Sequence, residues 1–114
     1  MTKFKVVLVP FPFDDLSSQK VRPAVCLTNP IGPHAHVVLA FITSRVSSNP
    51  LSTDLVIKSD DPDFAQTGLR VSSTVQLHRM VTATTSIIQR ELGSLAPTQQ
   101  KLIDQRLKKL FQLR

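Results

Sequence analysis

The chain has 114 residues and a mass of 12.7 kDa, enough for one domain spanning 1–114 and too little for two independent cores. Hydrophobic residues make up 41%, ordinary for a globular protein, while a net charge of +6 and a pI near 10.1 favour an acidic partner such as nucleic acid. The single cysteine, Cys26, excludes an internal disulfide framework and a cysteine-based metal site, and its apolar setting predicts a buried core thiol. No apolar run reaches the length of a membrane span and no signal-like apolar region precedes the first proline, so a cytoplasmic location without a membrane partner is expected.

The elements follow in chain order. "FKVVLVPF" (4–11) is short, β-branched and continuously apolar, which predicts a strand buried on both faces. Pro10 and Pro12 are expected to end its ladder, because a proline nitrogen has no proton to donate. "DDLSSQK" (14–20) is a polar loop, and "VRPAVCLT" (21–28) a second strand whose N–H side is unpaired near Pro23. After the turn formers of "NPIGPH", the sequence predicts strands over 36–43, 53–58 and 69–78, with a turn-rich excursion over 59–68. From Arg79 to Leu95 the pattern mixes a strand-like "MVTA", a helical turn in "TTSII" and extended chain in "QRELGSL". Pro97 suits a first helical turn, and Leu102, Ile103, Leu107, Leu110 and Phe111 recur at helical spacing, predicting a helix over 97–113. Lys108 and Lys109 suit the negative end of its dipole. The fold class is α+β and mainly β: an antiparallel sheet or small barrel with a C-terminal helix packed on it.

One residue stands out from this frame. Arg22 sits at the mouth of the second strand, locked in front of Pro23. Read from the residues alone, it is either a structural partner of Asp14 or Asp15, or a grip for a phosphate.

The stretch "VVLVPFPFDDLSSQKVRPAVCLTN" resembles the signature of the MazF/PemK family, toxins of bacterial type II toxin–antitoxin modules. It carries that family's Phe-Pro-Phe element, polar loop and Arg-Pro-Ala before an apolar strand. "VVLAFITS", "TGLRVSSTVQLHRM" and "IIQRELGSLAPTQQKLIDQRL" keep the register, so the resemblance runs from about Lys5 to Leu110. It implies a strongly twisted antiparallel sheet, SH3-like, and a homodimer. It also implies a sequence-specific endoribonuclease, an mRNA interferase that cuts single-stranded RNA without metal or other cofactor. The products would carry 2′,3′-cyclic phosphate and 5′-hydroxyl ends. A cognate antitoxin with an acidic, apolar C-terminal segment is the implied partner, and operator DNA is contacted only through the antitoxin complex.

Such a cleavage needs removal of the 2′-hydroxyl proton, stabilisation of charge on the phosphorane oxygens and a proton for the leaving oxygen. By resemblance Arg22 is the catalytic arginine, with electrostatic stabilisation as its first role, and Thr43 supplies a hydroxyl to a phosphate oxygen or to the attacking group. Ser44 can share that task. His78 falls where the family often carries an acidic residue, and is a candidate general base or base-reading group; an exposed strand-end histidine is the alternative. Lys20, Ser17, Ser18, Arg45 and Arg79 are candidate RNA contacts, and Phe13 a candidate stacking platform, Phe11 less so. The loop 14–20 is expected to close over RNA. His34 and His36 read as solvated turn residues, since no carboxylates accompany them to hold a metal. Gyrase-inhibiting toxins share this fold class but act through a C-terminal tail with a tryptophan, and this chain has none. A module that binds nucleic acid or an antitoxin without cutting is the remaining rival.

Overall fold

The computed structural model describes residues 1–11 and 20–114, with Phe11 described by its backbone alone. Its strands are β1 (Lys5–Phe11), β2 (Lys20–Cys26), β3 (His36–Thr43), β4 (Asp54–Ile57), β5 (Ser73–Thr84) and β6 (Arg90–Ser94). A single helical turn, α1 (Phe64–Thr67), precedes β5, a 3-10 turn at Thr85–Ile87 follows it, and α2 (Pro97–Leu110) closes the chain. The six strands form one curled antiparallel sheet in the order β4-β5-β3-β2-β1-β6, giving a mixed α+β fold with a half-barrel and a C-terminal helix.

Apolar runs in β1 to β3 bury both faces, as their unbroken character predicts. On one face Val6, Val25, Ala40 and Ile42 join Leu55, Val75, Leu77 and Ile103 of α2 in the larger core. On the other, Val7, Val9, Ala24, Cys26, Leu39 and Phe41 form a second cluster, against which Ile87 and Ile88 pack. Cys26 is fully buried, and burial, with Glu91 nearby, pushes its thiol up to about 11. Of the five apolar positions expected to face the core from the tail helix, Ile103 is fully buried and Leu102, Leu107 and Leu110 pack against the larger cluster. Phe111 does not; it lies beyond the helix and is 57% exposed.

Pro12 lies outside the described residues, and Pro10 and Pro23 act differently from one another. Pro10 does not end β1, which pairs with β2 through Pro10↔Val21 and Phe11↔Lys20. The carbonyl of Leu8 accepts from the N–H of Gln89, so the polar groups of Leu8, and two residues on of Pro10, turn towards β6. The β1–β6 ladder ends at Leu8↔Arg90, so the missing donor of Pro10 has no partner to deprive. Pro23 pairs with Leu8 and by the same geometry turns towards β3. There it does stop a ladder: β2 and β3 pair only over Ala24↔Phe41, Val25↔Ala40 and Cys26↔Leu39.

Two elements depart furthest from their predicted bounds. The fifth strand starts later than expected and runs to Thr84, with a bulge: Phe41 pairs with Gln76 but Ala40 with Met80, leaving residues 77–79 extra. The tail helix stops at Leu110 because Gln112 enters the left-handed region at φ 56. The N–H groups of Leu113 and Gln112 then donate to the carbonyls of Lys108 (2.7 Å) and Lys109 (3.2 Å), a Schellman closure made without glycine. No helix among the described residues is long and apolar enough to cross a membrane.

Candidate active site

Where the β2–β3 ladder stops, a groove of about 1100 Å³ opens. Extending the register two residues past Ala24↔Phe41 sets Arg22 opposite Thr43. Period-two alternation keeps Arg22 with Ala24 and Cys26, and Thr43 with Phe41 and Leu39, which share one cluster. Both line the groove. Arg22 is exposed and has no carboxylate within 4.0 Å among the described residues; Asp14 and Asp15, the structural partners considered for it, lie outside them.

The turn after β3 is fixed from two sides. The Thr43 Oγ1 accepts the N–H of Arg45 at 3.2 Å, which leaves the hydroxyl proton available to an outside acceptor. From the neighbouring strand, the Thr74 hydroxyl donates to the Arg45 carbonyl at 3.2 Å, and Thr74 is the register partner of Thr43. Thr43, Ser44 and Arg45 therefore reach the groove on a pinned turn.

Charge in the groove is one-sided. Arg22, Arg45, Arg70, Arg79 and Arg90 line it, and Asp54 is its single carboxylate among the described residues. Arg79 donates to Gln76 Oε1 at 3.3 Å and lies 5.9 Å from the centre of the Phe41 ring. Phe41 and Gln76 are register partners, and Gln76 in turn pairs with Asp54. Beside the row of Arg22, Thr43 and Thr74 thus runs a second row, Phe41, Gln76 and Asp54.

Of the other residues singled out from the sequence, Ser44, Arg45 and Arg79 join Arg22 and Thr43 in the groove. Lys20 is exposed at the start of β2 but is not in the groove wall. His78 also lies outside the wall, in the β5 bulge, with its Nδ1 4.0 Å from Asp54 Oδ1. Phe13, Ser17 and Ser18, the side chain of Phe11, and the loop they belong to fall outside the described residues. His34 is exposed and His36 opens β3, their rings 5.7 Å apart. Among the described residues no group of three or more His, Cys, Asp or Glu is placed to hold a metal.

Sequence reasoning missed Asp54, Gln76, Arg70 and Arg90. Arg70 and Arg90 come from segments distant in sequence, brought together because α1 and β6 touch backbone to backbone. A Cβ at Gly68 would overlap the Leu92 carbonyl, and one at Gly93 the Gln66 carbonyl. Only two glycines allow that approach.

The architecture is that of a small α+β domain whose curled sheet carries a groove lined by five arginines. The chain belongs to the PemK-like, MazF-like toxins of type II toxin–antitoxin systems, whose family model matches residues 2–111. Among solved structures it is similar to the Mycobacterium tuberculosis toxin MazF-mt6, with a TM-score of 0.74 and 23% identity over 96% of this chain and 98% of that one. An endoribonuclease in complex with its cognate antitoxin, from a mycobacterial species, gives a TM-score of 0.73 at 16% identity over 100% of this chain and 97% of that one. A further mycobacterial endoribonuclease gives 0.70 at 17% identity over 99% and 92%. At these identities the structural likeness shows the fold. No curated protein matches the chain.

Proposed function

We propose that the chain is a sequence-specific, metal-independent endoribonuclease that cuts single-stranded RNA and is neutralised by a cognate antitoxin. The observation that supports this most is that Arg22 and Thr43 line one groove, just beyond the end of the β2–β3 ladder, with four further arginines in its wall. Family membership and the two similar structures that are endoribonucleases support the same reading.

In this reading the substrate supplies its own nucleophile. The 2′-oxygen loses its proton and attacks phosphorus, the bond to the 5′-oxygen breaks, and that oxygen takes up a proton. The ends are a 2′,3′-cyclic phosphate and a 5′-hydroxyl. Arg22 clamps two non-bridging oxygens as charge grows on them, through a planar fork that a lysine lacks. Thr43, its oxygen already occupied by the Arg45 N–H, donates its hydroxyl proton to a phosphate oxygen or orients the attacking group. Arg45, Arg70, Arg79 and Arg90 grip flanking phosphates, with Ser44 beside them, and Lys20 extends the track. Ser17, Ser18 and Phe13 contact RNA from the segment joining β1 and β2. His78 reads a base beyond the cut.

The same groove suits the acidic, apolar tail of an antitoxin, since arginines and Phe41 offer both kinds of contact. A homodimer, with operator DNA reached only through the antitoxin complex, belongs to the same proposal.

One observation favours a rival reading, in which the groove binds nucleic acid or antitoxin without cutting. Among the described lining residues there is no imidazole and no exposed carboxylate to take the 2′-hydroxyl proton. Incubating the chain with a long single-stranded RNA in EDTA and determining the chemistry of any new ends separates the two. Cyclic-phosphate ends at one short motif support the nuclease; intact RNA that is nonetheless bound supports the rival.

A further inference from the structure

Asp54 is out of place in a groove lined with arginines for phosphates. Its side chain is only 9% exposed. One carboxylate oxygen, Oδ2, accepts the Leu51 N–H at 3.0 Å, and the main-chain carbonyl accepts Arg106 Nε from α2 at 2.8 Å. The other oxygen, Oδ1, is shut off from solvent and has no hydrogen-bond partner among the described residues. A buried acceptor of full charge is costly to leave bare, so its surroundings call for a donor.

A donor close by is His78, whose Nδ1 stands 4.0 Å from Oδ1, beyond hydrogen-bond distance as the ring stands. The backbone explains the meeting. Asp54 pairs with Gln76, and the three extra residues of the β5 bulge, 77–79, begin immediately after it. A bulge breaks the two-residue alternation and re-aims a side chain. His78 keeps the alternation of Gln76 and so stays on the side of Asp54, while Val75 and Leu77 face the larger core. The bulge then turns Arg79 into the groove before Met80 returns to that core. The His78 ring remains 39% exposed, so its far edge is open to a ligand.

We propose that Asp54 is a positioning residue for His78: its buried Oδ1 takes the Nδ1–H of the ring, which leaves Nε2 as a fixed, unprotonated acceptor for an amino or imino donor on an RNA base. A neutral imidazole carries one donor and one acceptor, and whichever nitrogen is engaged decides the role of the other. Asp54 thereby sets base preference without touching RNA. His78 lies outside the groove wall that holds Arg22 and Thr43, which fits a nucleotide flanking the cut rather than the reacting phosphate. The proposal rests on the RNA-binding reading of this groove, and its first test is independent of activity.

That test is the tautomer of His78 in the full-length chain, read from long-range nitrogen–proton spectra at pH 8.5 and assigned by its loss in His78→Ala. The wild type shows the Nδ1–H form. Asp54→Ala reverts to the tautomer mixture of a free imidazole. A wild-type ring protonated at Nε2, or one unaltered in Asp54→Ala, overturns the proposal, and the wild-type spectrum decides even if Asp54→Ala does not fold. Base preference is then read from cut sites in a random RNA pool, or from retained sequences if the chain binds without cutting. Asp54→Ala and His78→Ala each lower preference at one shared position by about tenfold, and the double variant loses no more than either alone. Additive losses, or losses at different positions, contradict it. A wild type that neither cuts nor selects RNA removes the base-reading role, while the spectrum still judges the pair.

Discussion

Arg22 and Thr43 stand opposite each other two residues beyond Ala24 and Phe41, the last paired residues of β2 and β3. Between them Pro23 cannot donate to β3, so the sheet lets go where Arg22 and Thr43 meet the groove. Their relative position is set by the same register that builds the core. The core positions Val25 and Ala40 are fully buried in the adjoining pairs, so the site stands on a rigid base.

In the proposed reading, the arginines that come from distant segments act on affinity. For single-stranded nucleic acid the logarithm of affinity falls with the logarithm of salt by about 0.7 per phosphate neutralised. Arg70→Ala and Arg90→Ala are each expected to flatten that slope by roughly 0.7 while leaving the cut motif unchanged. Titration of a labelled RNA at four or five salt concentrations checks this. An unchanged slope removes these residues from the phosphate track.

The two glycines that allow α1 to meet β6 should be intolerant. Gly68 has φ +74 and no room for a Cβ against Leu92, whereas Gly32 has φ +72 and open space around it. Gly32→Ala then costs backbone strain alone, about 1 kcal/mol, while Gly68→Ala adds overpacking of about 1–3 kcal/mol. Thermal melts of the two variants should differ by roughly 5 °C or more. Equal losses would mean that the close approach yields at little cost.

Stability should decline in alkali through Cys26. Burial raises its thiol from the usual 9.0 to about 11, so the folded state holds its proton where the unfolded chain has released it. The contribution is intact below pH 9, falls between pH 9 and 11, and is gone above that window, a loss of roughly 2–3 kcal/mol at about 1.4 kcal/mol per unit. Urea melts from pH 7 to 11 should show this component in the wild type and not in Cys26→Ala. In the native state below pH 9 the thiol should also resist alkylation until the chain unfolds.

The parts of the molecule legible in its sequence are those governed by local pattern. "HVVLAFIT" is an unbroken apolar run, and its strand has the predicted bounds, His36–Thr43. Arg22 in front of Pro23 marked the groove's mouth because a proline and a charge beside a buried strand have few other uses. What escaped depends on pairing between distant segments. Nothing local separates Asp54 in "TDLVIK" from a solvent-facing strand residue; its burial comes from Arg106 on α2 and the His78 bulge. The pattern of the fifth strand fades at residue 78 because the bulge over 77–79 disturbs the alternation that identifies strands. The end of the helix leaves no sequence signal because Gln112, rather than glycine, takes the left-handed position there.

The central claim is that Arg22 and Thr43 act together on one scissile phosphate. It is tested most directly by single-turnover cleavage of one RNA carrying the cut motif, in EDTA, by wild type, Arg22→Ala, Arg22→Lys, Thr43→Ala and the Arg22→Ala/Thr43→Ala double variant. The account predicts rates at least 100-fold lower in Arg22→Ala, only partial rescue by lysine, and a double variant little slower than Arg22→Ala, with RNA binding weakened far less than cutting. Folded Arg22→Ala and Thr43→Ala variants that cut at the wild-type rate would contradict it.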